Sequence, residues 1–209
     1  MELYAMRKYG RIFVYFMLIF FLQACDSPQS KLYPVPSNAV ILAFGDSLTY
    51  GTGVSTEKAY PAVLQKMTGI TVVNAGIPGE ETRDSRNRIE LELKKSHPNL
   101  VIVCLGGNDL IRRRDKASVK ENLAAIIQTI KNSGAQVVLI AVPDFKLSLP
   151  VPELYSELGL ELGVPVENNV IADLESRREI KSDDIHFNAE GYKLLAQDIL
   201  LFLKARGAL

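Results

Sequence analysis

Four short apolar runs, each closed by a turn and set apart by longer amphipathic stretches, constrain the fold of this chain more than any other feature. Residues 39–44 end at Gly45, 71–73 at Asn74-Ala75-Gly76, 100–105 at Gly106-Gly107, and 137–142 at Pro143. Such runs, rich in Val and Ile, read as strands buried on both faces, as in a parallel sheet covered by helices. Helices are expected over 59–67, 82–95, 118–132 and 189–206. In the third, Val119, Leu123, Ile126, Ile127 and Ile130 recur at helical spacing, and Ser133-Gly134 supplies a stop. In the last, Lys204 and Arg206 fall in the final turn, where cations suit the helix dipole. A fifth, short strand is expected near residues 164–170. The alternation implies a three-layer α/β/α domain on a five-stranded parallel sheet, flavodoxin-like, with its site at the strand carboxyl ends.

The first 24 residues read as an export signal. Arg7, Lys8 and Arg11 precede an apolar run over 12–22, which falls short of the roughly 20 residues a helix needs to span a bilayer. The better-shaped n-region begins at Met6, which leaves Met1 or Met6 as the start. Leu22-Gln23-Ala24-Cys25 resembles a bacterial lipobox, which implies lipidation of Cys25; an ordinary secretory signal with an incidental cysteine is the alternative. Several acyl chains, as that lipoprotein class carries, make anchoring stable where a single chain does not. Asp26 resembles a signal for retention in the inner membrane. Residues 25–38, with Pro28, Pro34 and Pro36, then form a semi-stiff tether, and residues 39–209 form the domain. The expected location is a bacterial membrane, facing the periplasm or exterior.

Charge and composition narrow the function. Lys+Arg number 24 against Asp+Glu 24, so no basic surplus argues for nucleic-acid binding. Two Cys and two His make neither a disulfide framework nor a structural zinc site. No metal or organic cofactor is expected.

Chemistry-bearing residues cluster just after the strands. Ser47, in Gly45-Asp46-Ser47-Leu48-Thr49, would sit at the sheet rim beside helix N-terminal amides. Gly76 permits close backbone approach to a ligand, and Asn108, in Gly106-Gly107-Asn108-Asp109, can present a side-chain NH₂ to an oxyanion. Each is also ordinary cap or turn chemistry when taken alone. Late in the chain, Asp183 precedes His186 by three residues, a spacing that lets a carboxylate orient an imidazole base. The other histidine, His97, ends a charged stretch and reads as exposed and structural.

In order and wording these blocks resemble the SGNH (GDSL) hydrolase superfamily, and closely its bacterial branch of acyl-CoA thioesterase, arylesterase and lysophospholipase. The resemblance runs from residue 40 to the C-terminus, and residues 74–82 look like that branch as well. Asp184 stands where the branch often has Gly, and Phe187 where it often has Pro. The resemblance implies a Ser47–His186–Asp183 triad, an oxyanion hole of Ser47, Gly76 and Asn108, and an acyl-ester or lysophospholipid substrate. A carbohydrate O-acetylesterase and a catalytically silent, lipid-anchored binding protein are the competing readings.

Other segments read more plainly. Residues 51–56 lack the third glycine of a dinucleotide loop. Arg112, Arg113 and Arg114 read as a solvated cluster near the rim, with contact to a phosphate head group or coenzyme A as the alternative. Cys104 reads as a buried small hydrophobe. The apolar connection 145–164 either packs as a helix or lines an acyl groove.

Overall fold

A computed structural model describes residues 30–146 and 148–209. The expected export signal and Cys25 lie outside them. Five parallel strands, β1 (Val40–Gly45), β2 (Thr71–Gly76), β3 (Leu100–Cys104), β4 (Gln136–Ile140) and β5 (Val166–Glu167), form one sheet in the order β2-β1-β3-β4-β5. The crossover from β1 through β2 and back across to β3 places a switch point where β1 lies between them, so the loops after β1 and β3 diverge around a crevice.

Burial follows the apolar runs. β1, β3 and β4 are sealed on both faces, whereas edge strand β2 alternates exposed and buried positions. β5 is only two residues long, since two paired positions suffice to close that edge. The helices are α1 (Ser47–Tyr50), α2 (Tyr60–Thr68), α3 (Thr82–Ser96), α4 (Gly107–Ile111), α5 (Lys116–Asn132), α6 (Leu154–Leu162), α7 (Val170–Glu175) and α8 (Ala189–Ala205). α3, α5 and α6 pack together, as do α2 and α8, which gives the three layers. Asp115 caps α5 by accepting from the Ser118 N–H at 2.9 Å, and Asn188 caps α8 through the Glu190 and Gly191 N–H groups.

Two expectations change here. Residues 30–38 are not a free tether. Leu32 is 9% exposed and joins the core, its N–H donates to Arg206 O at 2.9 Å, and the Val35 N–H donates to Ala208 O. The Gln136 side chain brackets the Tyr33 backbone, accepting at 2.6 Å and donating at 2.8 Å. The packed domain therefore begins by Leu32. The proline-rich composition leaves these backbone groups without local partners, and the end of α8 and the start of β4 supply them. The connection 145–164 divides: Leu154, Tyr155 and Leu158 are buried on α6, while Phe145 reaches the crevice.

Candidate active site

The end of β1 delivers Ser47 as the first residue of α1. Asp46 caps that helix, its Oδ1 accepting from the Leu48 N–H at 3.1 Å. Ser47 Oγ lies 2.9 Å from His186 Nε2, and His186 Nδ1 lies 2.8 Å from Asp183 Oδ2. An ionised Asp183 can only accept, so Nδ1 carries the proton and Nε2 is left to accept from the serine hydroxyl. Partial burial pushes the Asp183 carboxyl up. The N–H groups of His186 and Ile185, at 2.7 and 2.8 Å, and the imidazole outweigh that and hold it at about 2.

The loop that carries Asp183 and His186 is pinned from below. Lys181 Nζ donates to Glu175 Oε2 at 2.5 Å and to Asp184 O at 2.6 Å, and the Ser182 N–H donates to His186 O at 2.9 Å. Phe187, where the resemblance favours Pro, is fully buried and meets Tyr192 edge-on with ring centroids 5.6 Å apart. A packed ring thus anchors the start of α8 in place of a rigid backbone.

Asn108 stands in α4 beside the serine. Its Nδ2 donates to Asp46 Oδ2 and to Glu80 O, both at 3.2 Å. Asp46 is 3% exposed, and desolvation pushes its carboxyl up to about 6 against the opposing pull of the Leu48 N–H. Glu80 is held in turn by Arg88, whose Nε and Nη2 reach its carboxylate at 2.8 and 2.5 Å while the guanidinium lies 4.3 Å from the centre of the Phe44 ring. Asp109 accepts from the N–H and hydroxyl of Thr82, at 3.0 and 2.7 Å, and so caps α3.

The expected role of Gly76 does not fit this geometry. Its N–H donates to Asn74 Oδ1 at 2.9 Å, and it lies on β2 outside the crevice. A Cβ there would fall 2.1 Å from the Tyr50 backbone N, so glycine is required because β2 packs directly under α1. Gly79, three residues on and at φ +77°, lines the crevice with Ser47, Asn108 and His186. Sequence reasoning passed over Gly79; the only local signal was the turn Pro78-Gly79.

Two of the three clustered arginines are structural, while Arg113 is exposed. Arg114 pairs with Glu81 through two bonds at 2.6 and 3.1 Å, and Arg112 donates to Gly79 O at 3.0 Å, so the loop after α4 braces the loop after β2. Desolvation holds the Cys104 thiol, buried within β3, well above its ordinary pKa. His97 is exposed at the end of α3.

Around Ser47 is a crevice of about 200 Å³, walled by Ile111, Val142, Phe145 and Ile185. Ile111, Phe145 and Ile185 are shared with an adjoining groove of about 720 Å³, whose rim carries Arg113 and Lys116. A hydroxyl, a base and an orienting carboxylate thus open onto an apolar trough with a charged edge.

Residues 43–194 match the model of the GDSL-like lipase/acylhydrolase family. The chain belongs to that family. It is 33% identical to the arylesterase of Vibrio mimicus over 131 residues, 60% of this chain and 61% of that protein, so the match spans less than two thirds of the relative. It is 28% identical to thioesterase 1/protease 1/lysophospholipase L1 of Escherichia coli K12 over 164 residues, 75% of this chain and 79% of that one. The crystal structure of TesA superposes with a TM-score of 0.72 at 23% identity, covering 80% of this chain and 99% of TesA, a likeness of fold. The five-stranded parallel architecture is therefore that of the family.

Proposed function

We propose that this chain hydrolyses carboxylic esters through an acyl-Ser47 intermediate. The observation that carries the reading is the continuous hydrogen-bonded chain from Ser47 Oγ through both ring nitrogens of His186 to Asp183. Ser47 Oγ attacks the ester carbonyl while its proton passes to His186 Nε2. The acyl carbon's bond to the leaving group (C–O in an ester, C–S in a thioester) breaks as the imidazolium returns that proton to the departing alcohol or thiol. Water then attacks the acyl-serine, giving its proton to the same nitrogen, and Ser47 is released with the free acid. Asp183, held ionised, keeps His186 in the required tautomer and stabilises the imidazolium.

The oxyanion is assigned to the N–H groups of Ser47 and Gly79 and to Asn108 Nδ2. The bonds from Asn108 to Asp46 and Glu80 orient its amide, and at 3.2 Å both are long enough to yield to a developing negative charge. The apolar walls suit an acyl chain, and Arg113 and Lys116, on a rim that also carries Asp144 and Asp184, suit the anionic head of an ester such as a lysophospholipid. Export and lipidation at Cys25 complete the reading, with the lipobox-like segment as their support.

A fluorophosphonate probe tests the chemistry: an activated Ser47 is labelled and Ser47→Ala is not, whereas a silent binding domain reacts in neither form. A chain-length series of p-nitrophenyl esters then separates an acetylesterase, which falls off beyond acetyl, from an enzyme that fills the groove.

A further inference from the structure

The N-terminal segment docks at the opposite end of the sheet from Ser47. Leu32, Tyr33 and Val35 bond to Arg206, Gln136 and Ala208, which lie at the end of α8 and the start of β4. Ser47, Gly79, Asn108 and His186 all stand past the strand carboxyl ends. α5 runs the full height between the two poles, and its 17 residues set their separation at about 25 Å.

The docking pole has a distinct surface. The turns that enter the strands there, 68–70, 96–99, 132–136 and 163–165, contain no Asp or Glu, and neither do residues 30–38 or 204–208. Lys31, Lys94, Lys95, Lys131, Lys204 and Arg206 lie at this pole. Lys94 and Lys95 pair with Glu90 and Glu92 one turn inward, while Lys31, Lys131 and Lys204 have no carboxylate partner among the described residues. At the site pole, by contrast, exposed carboxylates (Glu57, Asp115, Glu153, Glu179 and Asp184) are mixed with exposed cations such as Lys58, Arg113, Lys116 and Lys146. Tyr33 is 80% exposed at the docking pole, although Gln136 fixes its backbone from both sides. A rigidly held, outward-facing tyrosine among lysines is the side-chain chemistry of a bilayer interface.

We propose that this basic pole lies against an anionic phospholipid bilayer, so that the ester-cleaving crevice faces away from the membrane that holds the protein. The proposal rests on anchoring at Cys25. Cys25 precedes Leu32 by seven positions, a reach of at most about 25 Å when fully extended. Spent wholly along the side of the domain, that length only just brings the lipid level with the site; with any slack, the docking pole is the face nearest the bilayer. Substrate then arrives from the water or from a facing membrane rather than by lateral diffusion from the anchoring leaflet.

The chain contains no Trp, so Tyr33→Trp and Tyr50→Trp each give a protein with a single reporter, one at each pole. The lipidated full-length variants are reconstituted in vesicles of phosphatidylethanolamine and phosphatidylglycerol that carry dibrominated acyl chains. The expected result is co-sedimentation of both, with severalfold stronger quenching in Tyr33→Trp than in Tyr50→Trp. Replacing phosphatidylglycerol by phosphatidylcholine, or adding Lys131→Glu with Lys204→Glu, should weaken that quenching while sedimentation persists. Equal quenching of the two reporters in sedimenting protein, or stronger quenching of Tyr50→Trp, overturns the orientation and leaves the anchor standing. Failure to sediment overturns the anchor, and the orientation with it.

Discussion

Asp46 Oδ2 accepts a hydrogen bond from Asn108 Nδ2 at 3.2 Å, joining the loop after β1 to the loop after β3 across 62 residues of sequence. The same carboxylate caps α1 through the Leu48 N–H. One buried side chain thus sets both the helix that presents Ser47 and the amide that faces its oxyanion. Burial makes this arrangement costly when Asp46 is ionised, and its pKa of about 6 reports that cost.

Removing the amide should therefore damage the transition state more than the bound substrate. Asn108→Ala is expected to lower kcat by about 10²–10³ with little change in KM. Steady-state kinetics on one p-nitrophenyl ester decide the point, and a pure KM effect would assign Asn108 to substrate positioning.

Ser47 and His186 should behave as one unit. Ser47→Ala and His186→Ala are each expected to cost at least about 10⁴-fold in kcat, and the double variant should be little worse than either. His97→Ala should leave activity unchanged, because His97 is exposed at the end of α3, in the turn that enters β3 at the opposite end of the sheet from the crevice. Loss of activity in His97→Ala with retention in His186→Ala would overturn the triad.

Asp46 should leave a signature in stability against pH. Its carboxyl sits at about 6 when folded against 3.8 ordinarily. The folded state therefore binds the proton more tightly, and stability falls as pH rises from 3.8 to about 6, by on the order of 3 kcal/mol. Asp46→Asn cannot ionise and is spared that loss, so its Tm relative to the unsubstituted protein should climb between about pH 4 and about pH 6.5. A Tm difference flat across that range would contradict the raised value. Activity should fall in the same variant, since Asn108 loses its charged acceptor.

Asp183 should act with the opposite sign. Held at about 2 in the fold, it contributes stability that is present above its ordinary 3.8 and is lost as pH falls toward 2. The carboxylate is 53% exposed, so solvent screening keeps the contribution small. Acid titration of Asp183→Asn, followed by circular dichroism, should show a shallower loss across this window.

The two glycines of the loop after β2 should separate packing from chemistry. Gly76→Ala forces a Cβ to within 2.1 Å of the Tyr50 backbone and should lower stability by about 3 kcal/mol, the upper end for overpacking. At Gly79 a Cβ meets nothing nearer than Arg112 Nη2 at 3.7 Å, but φ is +77°. Gly79→Ala should then cost about 1–2 kcal/mol of backbone strain, fold, and lose kcat as its N–H is re-aimed. Thermal melts beside kinetics distinguish the two.

The sequence by itself determined the α/β class and the places where strands and helices run, because burial on two faces and burial on one stripe leave different periods along the chain. It also pointed to Ser47, Asp183 and His186, whose spacing within short motifs is local. Tertiary structure decided what depends on partners far apart in the chain. It tied the Gly76 N–H to Asn74 and brought Gly79 to the crevice. It also aimed Asn108 through Asp46 and Glu80, turned Arg112 and Arg114 into a brace, and seated residues 32–35 against the end of α8 and the start of β4. A residue's neighbours along the chain set its side-chain period and backbone freedom. Which of its polar groups remains open for chemistry is settled only when every other donor and acceptor has found its partner.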